Sequence, residues 1–197
     1  MVLLHGVMEK VDERFSEFEK MRGGQLYHFD DAEVLASVTR ANELCARLSQ
    51  LTLSSPEYRS IIETLIPDIP VSSAVNPPFH CDHGSGIHIG PNTFINYDCI
   101  MLDAATITIG ANCKIGPRCQ FFTPQHPLEF LERRQPVETG LPIIIGDDCW
   151  LGGSVTVCPG VTIGSRCIIA AGSVVIRDIP ADSLAAGNPA IVKRRLK

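Results

Sequence analysis

From Ile145 to Val175 an apolar side chain returns at every sixth position, through Leu151, Val157, Ile163 and Ile169, without a slip. An earlier block keeps the same spacing at Ile89, Ile95, Met101 and Ile107; the frame then steps by two and continues at Ile109, Ile115 and Phe121. A fixed internal period is the mark of a repeat architecture, and a six-residue period belongs to parallel β-helices. It fits three short flat strands per turn, so one coil takes about eighteen residues. Each apolar side chain then points into a narrow prism and stacks on its counterpart one coil away.

Two positions before each apolar residue stands a second inward slot, which has to be small. It holds Thr93, Cys99 and Ala105, then Cys113 and Cys119, then Cys149, Val155, Val161, Cys167 and Ser173. Glycine often follows the apolar residue, at Gly90, Gly110, Gly116, Gly146, Gly152 and Gly164. The expected reason is the positive φ that a tight corner needs. Three slot preferences in one frame predict a mainly β chain wound as a β-helix.

The 197 residues suffice for one large domain, or for a domain with an appendage. A net charge of −5 gives no reason to expect nucleic acid. No apolar run is long enough to span a membrane, and the start from Met1 to Gly6 lacks the basic opening of a signal peptide. The expectation is therefore a cytoplasmic protein. Of the eight cysteines, Cys99, Cys113, Cys119, Cys149 and Cys167 fall in the small inward slot. There they read as buried core filler with no disulfide. No C-x-x-C spacing suggests zinc. Cys45 falls on an apolar helix face, and Cys81 and Cys158 take no assignment.

Residues 1–70 differ in kind. Val7 to Lys20 alternates charge with Val11, Phe15 and Phe18 and predicts a helix ended by Gly23-Gly24. Asp30 or Asp31 can cap a second helix, with Val34, Val38, Ala41, Cys45 and Leu48 on one face. Ser55-Pro56-Glu57 starts a third, with proline at the first helical position, and Pro67 stops it. Pro70, Pro77 and Pro78 then predict an extended linker. The division is a helical appendage over 1–70 and a β-helix over 71–197 that ends in a basic tail, Lys193 to Lys197. The hexads vanish over 123–141, and a long loop leaving a regular solenoid points to function. His126 stands at its start between Pro124 and Pro127.

Several segments, in order, carry a family resemblance: E-K-M-R-G-G-Q-L-Y (Glu19–Tyr27), I-H-I-G-P-N (Ile87–Asn92), I-N-Y-D-C (Ile95–Cys99), I-G-P-R-C-Q-F-F-T-P-Q-H-P (Ile115–Pro127), G-D-D-C-W-L-G-G (Gly146–Gly153) and A-G-N-P-A (Ala186–Ala190). From about Glu17 to Lys197 the chain resembles the maltose/galactoside O-acetyltransferases. The resemblance implies a left-handed parallel β-helix behind an N-terminal α-helical domain. It also implies acetyl-coenzyme A as co-substrate, a sugar or related hydroxyl acceptor, and a homotrimer with active sites between subunits. A trimer would also cover the flat apolar faces of a single prism.

Residue by residue, the resemblance makes His126 the general base and Asp82, Phe94, Asn96 and Glu138 acceptor contacts, with Glu138 alternatively orienting His126. Ala104 replaces an acceptor carboxylate of the family, and the neighbouring Asp103 is taken as the acceptor contact there. The N-terminal acceptor aspartate falls on either Asp30 or Asp31. Trp150, Gly153, Ala171 and Arg177 match the coenzyme channel, Arg177 keeping a cation for the nucleotide phosphates. Three other readings stand beside this one. A zinc hydratase would gather His83, His88 and His126; a β-helix can serve as a non-catalytic scaffold; and the acceptor can be a non-sugar hydroxyl compound such as an antibiotic. The acetyltransferase reading itself asks for no metal.

Overall fold

The computed structural model describes residues 14–196. The hexads wind into three flat faces of stacked parallel strands. The first face stacks β2 (Ala74–Val75), β5 (Phe94–Ile95), β8 (Lys114–Ile115), β13 (Trp150–Leu151), β16 (Ile168–Ile169) and β18 (Ser183–Gly187). The second stacks β3 (Phe79–Cys81), β6 (Cys99–Leu102), β9 (Gln120–Phe122), β14 (Thr156–Val157) and β17 (Val174–Val175). The third stacks β4 (Ile87–Ile89), β7 (Ile107–Ile109), β12 (Ile143–Ile145) and β15 (Thr162–Ile163). About six turns form a left-handed parallel β-helix, closed by β19 (Ala190–Arg195) folding back antiparallel on β18. Every apolar and small slot of the hexads is buried. The slot thiols donate to carbonyls one coil on, Cys113 to Gly146 at 3.2 Å and Cys119 to Gly152 at 3.1 Å among them. All eight cysteines are free.

Two details depart from expectation. Eighteen residues per coil holds only towards the C-terminus, where Trp150 pairs with Ile168. In the first coils the step is twenty, as in Phe94 opposite Lys114. The surplus sits at one corner, between the second and third faces. Cys81 to Ile89 and Met101 to Ile109 take eight residues, whereas Val157 to Ile163 takes six. In the third coil the whole 123–141 excursion leaves from that same corner. The second departure concerns the glycines. None of the six expected corner glycines has positive φ; the left-handed residue comes two positions later, at Asn92, Asn112, Arg118, Asp148, Ser154 and Arg166. The glycines are needed for close approach instead. A Cβ on Gly116 would stand 2.6 Å from the Gly153 nitrogen of the next coil.

The prolines do not make a linker. Ala74-Val75 already belongs to the first coil, and Val75, Cys81 and Ile87 keep the six-residue spacing, two residues out of step with Ile89. Three helices close this end of the prism. α1 runs Glu17–Arg22. The predicted helix from Val7 lies partly outside the described residues; within them it starts only at Glu17, because Ser16 and Glu19 form a reciprocal cap. Asp31, not Asp30, caps α2 (Ala32–Leu48). α3 (Tyr58–Leu65) begins two residues after Pro56. Leu44, Leu48, Ile62 and Leu65 join one core with Val75, Phe79 and Ile87, and the Tyr58 hydroxyl donates to the Val75 carbonyl at 2.8 Å. Among the described residues no helix is long and apolar enough to cross a membrane.

Candidate active site

The excursion is an ordered hairpin. β10 (Pro124–Gln125) pairs antiparallel with β11 (Val137–Gly140), whose other edge takes β1 (Tyr27–His28) from the appendage. The tip carries a short 3₁₀ turn at Glu132–Arg134. His126 follows β10 directly, so the hairpin neck holds it opposite Glu138, with Nε2 3.7 Å from Oε2. Tyr27 pairs with Glu138 across the strands, and directly opposed residues carry their side chains on one face. The buried Tyr27 hydroxyl donates to Glu138 Oε1. Burial, then the Glu138 hydrogen bond and charge, push the Tyr27 phenol up, so it remains a donor. The Phe29 ring meets the His126 imidazole edge-on, with centroids 6.0 Å apart.

Asp82 and His83 sit on the same corner two coils earlier. Asp103, one coil on, shapes that corner from below. Its Oδ1 accepts the N–H groups of His83 at 2.8 Å and Gly84 at 3.1 Å, and its Oδ2 accepts that of Gly86 at 2.9 Å. Arg22 donates to the carbonyls of Asp103 and Ala104 and to Ser85 Oγ. Its Nη2 lies 3.6 Å from Asp103 Oδ2. Asp103 is fully buried and all its polar reach is spent inward, so here it organises the corner and does not face an acceptor. Gly84 has φ +76°, and a Cβ there would strike the Leu65 carbonyl. His83 is buried, with Nδ1 2.9 Å from Ser37 Oγ; burial and then Arg22 push its pKa down to about 4.

Tyr27, Phe29, Asp82, His83, His126 and Glu138 line a cleft of about 680 Å³ between α2, the second face and the hairpin. A second groove of about 610 Å³ runs along the first face. Its wall is a ladder in strict register, Phe94 to Lys114 to Trp150 to Ile168. Asn96, Gly153 and Ala171 line it as well. Trp150 is more than half exposed there. Asn96 Oδ1 accepts the Tyr97 N–H at 2.9 Å.

The structure thus brings His126, Asp82 and Glu138 together, and separately Phe94, Asn96, Trp150, Gly153 and Ala171. Arg177 lines neither cavity. Asp30 and Asp31 do not line the cleft either: Asp31 is spent as the α2 cap, and the appendage residue beside His126 is Phe29. Tyr27 and Arg22, both within the Glu19–Tyr27 motif, are site residues that received no role from sequence. His83, His88 and His126 do not converge. His83 is buried, His88 is exposed on β4, and among the described residues no group of three or more histidine, cysteine or acidic side chains could hold one ion.

Asp82 yields a pH prediction. Burial first, then the charges of Asp103 and Glu138 against the pull of Arg22, push its carboxyl up to about 7. The unfolded value is about 3.9. A pKa raised by folding contributes stability that is complete below the unfolded value and lost as pH rises through the folded one. The unfolding free energy should therefore lose a few kcal/mol between about pH 4 and pH 7 on this account. Asp82→Asn should flatten that decline in urea titrations at a series of pH values. An unchanged slope would remove Asp82 from the acidic cluster.

Residues 142–177 match the model of the bacterial transferase hexapeptide family (six repeats). A crystal structure of a maltose O-acetyltransferase from Clostridium difficile 630 is 36% identical, with a TM-score of 0.90, covering 93% of this chain and 98% of that one. A hexapeptide-repeat-containing acetyltransferase from Vibrio cholerae O1 biovar eltor, complexed with acetyl coenzyme A, is 42% identical, with a TM-score of 0.86, over 93% and 100% of the two chains. A galactoside acetyltransferase in complex with coenzyme A is 31% identical, with a TM-score of 0.84, over 93% and 92%. With relatives this similar along nearly its whole length, the chain belongs to the maltose/galactoside O-acetyltransferase family of hexapeptide-repeat acetyltransferases.

Proposed function

We propose that this acetyltransferase moves the acetyl group of acetyl-coenzyme A directly to a hydroxyl of a sugar or related acceptor, with His126 as general base. The observation that carries the reading is His126, half exposed in a cleft and backed by Glu138. Imidazole titrates near working pH and suits proton transfer. The hydroxyl loses its proton to His126 as its oxygen attacks the thioester carbonyl. The C–S bond then breaks, and the imidazolium returns the proton to the leaving thiolate. Glu138, held by Tyr27, stabilises the imidazolium between these steps. The Ser154 N–H is committed to the Pro117 carbonyl at 2.8 Å, which leaves the Gly153 N–H as the donor for the oxyanion. The first-face groove takes the pantetheine arm against Trp150, and Arg177 serves the nucleotide phosphates. A thiol-release assay with acetyl-coenzyme A and a panel of hydroxyl compounds tests the reading; no release with any acceptor would overturn it.

The two cavities lie on different faces of one prism, which supports a coenzyme groove supplied to His126 by a second copy. We propose the homotrimer that the family resemblance implies, with each site shared between neighbours and Phe94 and Asn96 reaching the acceptor from the groove side. Co-expressed His126→Ala and Trp150→Ala chains should assemble some sites with both native residues. Their mixed oligomers should exceed the activity of either parent several-fold. Activity no higher than the better parent would place both residues in one subunit's site.

A further inference from the structure

We propose that Cys45 and Cys81 form a reversible oxidation site, at which a hydroperoxide links the two thiols and so ties α2 to the first coil. The residues are 36 apart in sequence, yet their sulfurs lie 3.8 Å from each other. Cys45 is on the buried face of α2, and Cys81 ends β3. β3 is the edge strand of the second face. Met101 stands opposite Cys81 on the next coil, and on the open side α2 packs where a preceding coil would lie.

This pair differs from the slot cysteines. Each slot thiol donates to a main-chain carbonyl, whereas Cys45 and Cys81 hydrogen-bond each other. β3 is laddered on one side only, so its sulfur can approach a helix more easily than one coil can approach another. A disulfide needs the sulfurs to close to about 2 Å. Cys45 is 4% exposed and Cys81 5%, against 1% at most for the slot cysteines, so a small oxidant can reach the pair. The hydrogen bond from Cys81 favours the Cys45 thiolate and draws it below the ordinary thiol value, while the same bond and then burial push Cys81 well up. Cys45 is then the nucleophile and Cys81 the resolving thiol.

The Cys45 sulfur attacks the hydroperoxide, an S–O bond forming as the O–O bond breaks. The departing oxygen takes the thiol proton and leaves as water or an alcohol. The Cys81 sulfur then attacks the sulfenic sulfur; S–S forms, S–O breaks, and the hydroxide leaves as water with the Cys81 proton. Two thiols lose two electrons and the peroxide gains them. A dithiol reductant reverses the link by exchange. Asp82 and His83 follow Cys81 directly and line the cleft, and Val38, about two turns before Cys45 on α2, lines it from the other side. Drawing α2 onto β3 therefore shifts two walls of the cleft. That consequence for activity rests on reading the cleft as the acceptor site; the link itself does not.

The test treats the full-length chain with a few equivalents of hydrogen peroxide and maps its peptides without reduction. Cys45 and Cys81 should be joined, and dithiothreitol should part them. The link closes a long loop, so the melting temperature at fixed protein concentration should rise by about 5 °C or more. The acceptor KM should rise several-fold while the coenzyme KM holds. Cys45→Ala should lose the link and both peroxide-induced shifts, and should keep the reduced chain's KM values without peroxide. No link, or a link between other cysteines, would overturn the site whatever the variant does. An unchanged acceptor KM in the linked chain, or a shift that persists in Cys45→Ala, would overturn its coupling to the cleft. A clean link in a chain that acetylates no acceptor would uphold the oxidation site and sink the acetyl-transfer reading alone.

Discussion

His126→Ala lowers kcat by about 10²- to 10⁴-fold, the range general-base catalysis contributes. The KM for acetyl-coenzyme A barely moves, because the imidazole meets the reacting centre and not the nucleotide. The expected signature lies in the pH dependence. Wild-type kcat/KM rises with pH along a limb that the variant loses. Tyr27→Phe gives the milder companion result. It removes the donor that holds Glu138, keeps the aromatic core residue, and lowers kcat while sparing the coenzyme KM. Near-normal kcat in His126→Ala with a good acceptor would remove the base assignment and return weight to a scaffold role.

The β-helix was legible because its core is one-dimensional. A stacked prism repeats the same inward demands coil after coil, so period alone betrays it. The first coil escaped notice because Cys81 replaces an aliphatic residue and its slots stand two residues out of step with Ile89. The two-residue slip from Ile107 to Ile109 was visible, but its meaning was not. Extra residues gather at one corner in three successive coils, and that corner carries Asp82, then Asp103, then the His126 hairpin. Where a repeat breaks its own register at the same place, core packing is no longer the constraint being served. Glycine was misjudged for a related reason. Its positions were readable, but whether it serves dihedral freedom or close approach depends on the distance to the next coil.

The site was legible wherever a motif is contiguous. His126 lies in T-P-Q-H-P and Trp150 in G-D-D-C-W. Tyr27 and Glu138 are 111 residues apart, and only the pairing of β1 with β11 joins them. No local spacing could announce that. The grouping of residues was equally hidden: Phe94 and Asn96 lie on the first face with Trp150, and face membership follows from coil length, which the early insertions alter. Asp103 was visible as a carboxylate beside a motif, and exposure is the property sequence reports worst for such a residue.

Asp103 carries the largest expected effect on stability. Its carboxylate is fully buried and accepts three backbone N–H groups that no strand partner serves. Asp103→Ala leaves those donors unmet and the largely buried Arg22 uncompensated. Removing one partner of a buried pair costs about 3–5 kcal/mol, so the variant should lose that much in urea unfolding at fixed protein concentration. Asp103→Asn keeps the shape and some acceptor capacity and should lose less. Pairing it with Arg22→Met removes the stranded charge and should recover part of the loss, which a purely steric role would not allow. At temperatures where the variants remain folded, the acceptor KM should rise more than the coenzyme KM, because the corner that presents Asp82 is loosened while the first-face groove is untouched. A loss below about 1 kcal/mol, the cost of an ordinary surface pair, would mean that the corner holds its shape without Asp103. The acceptor end of the cleft would then be built by Arg22 and its carbonyl contacts alone.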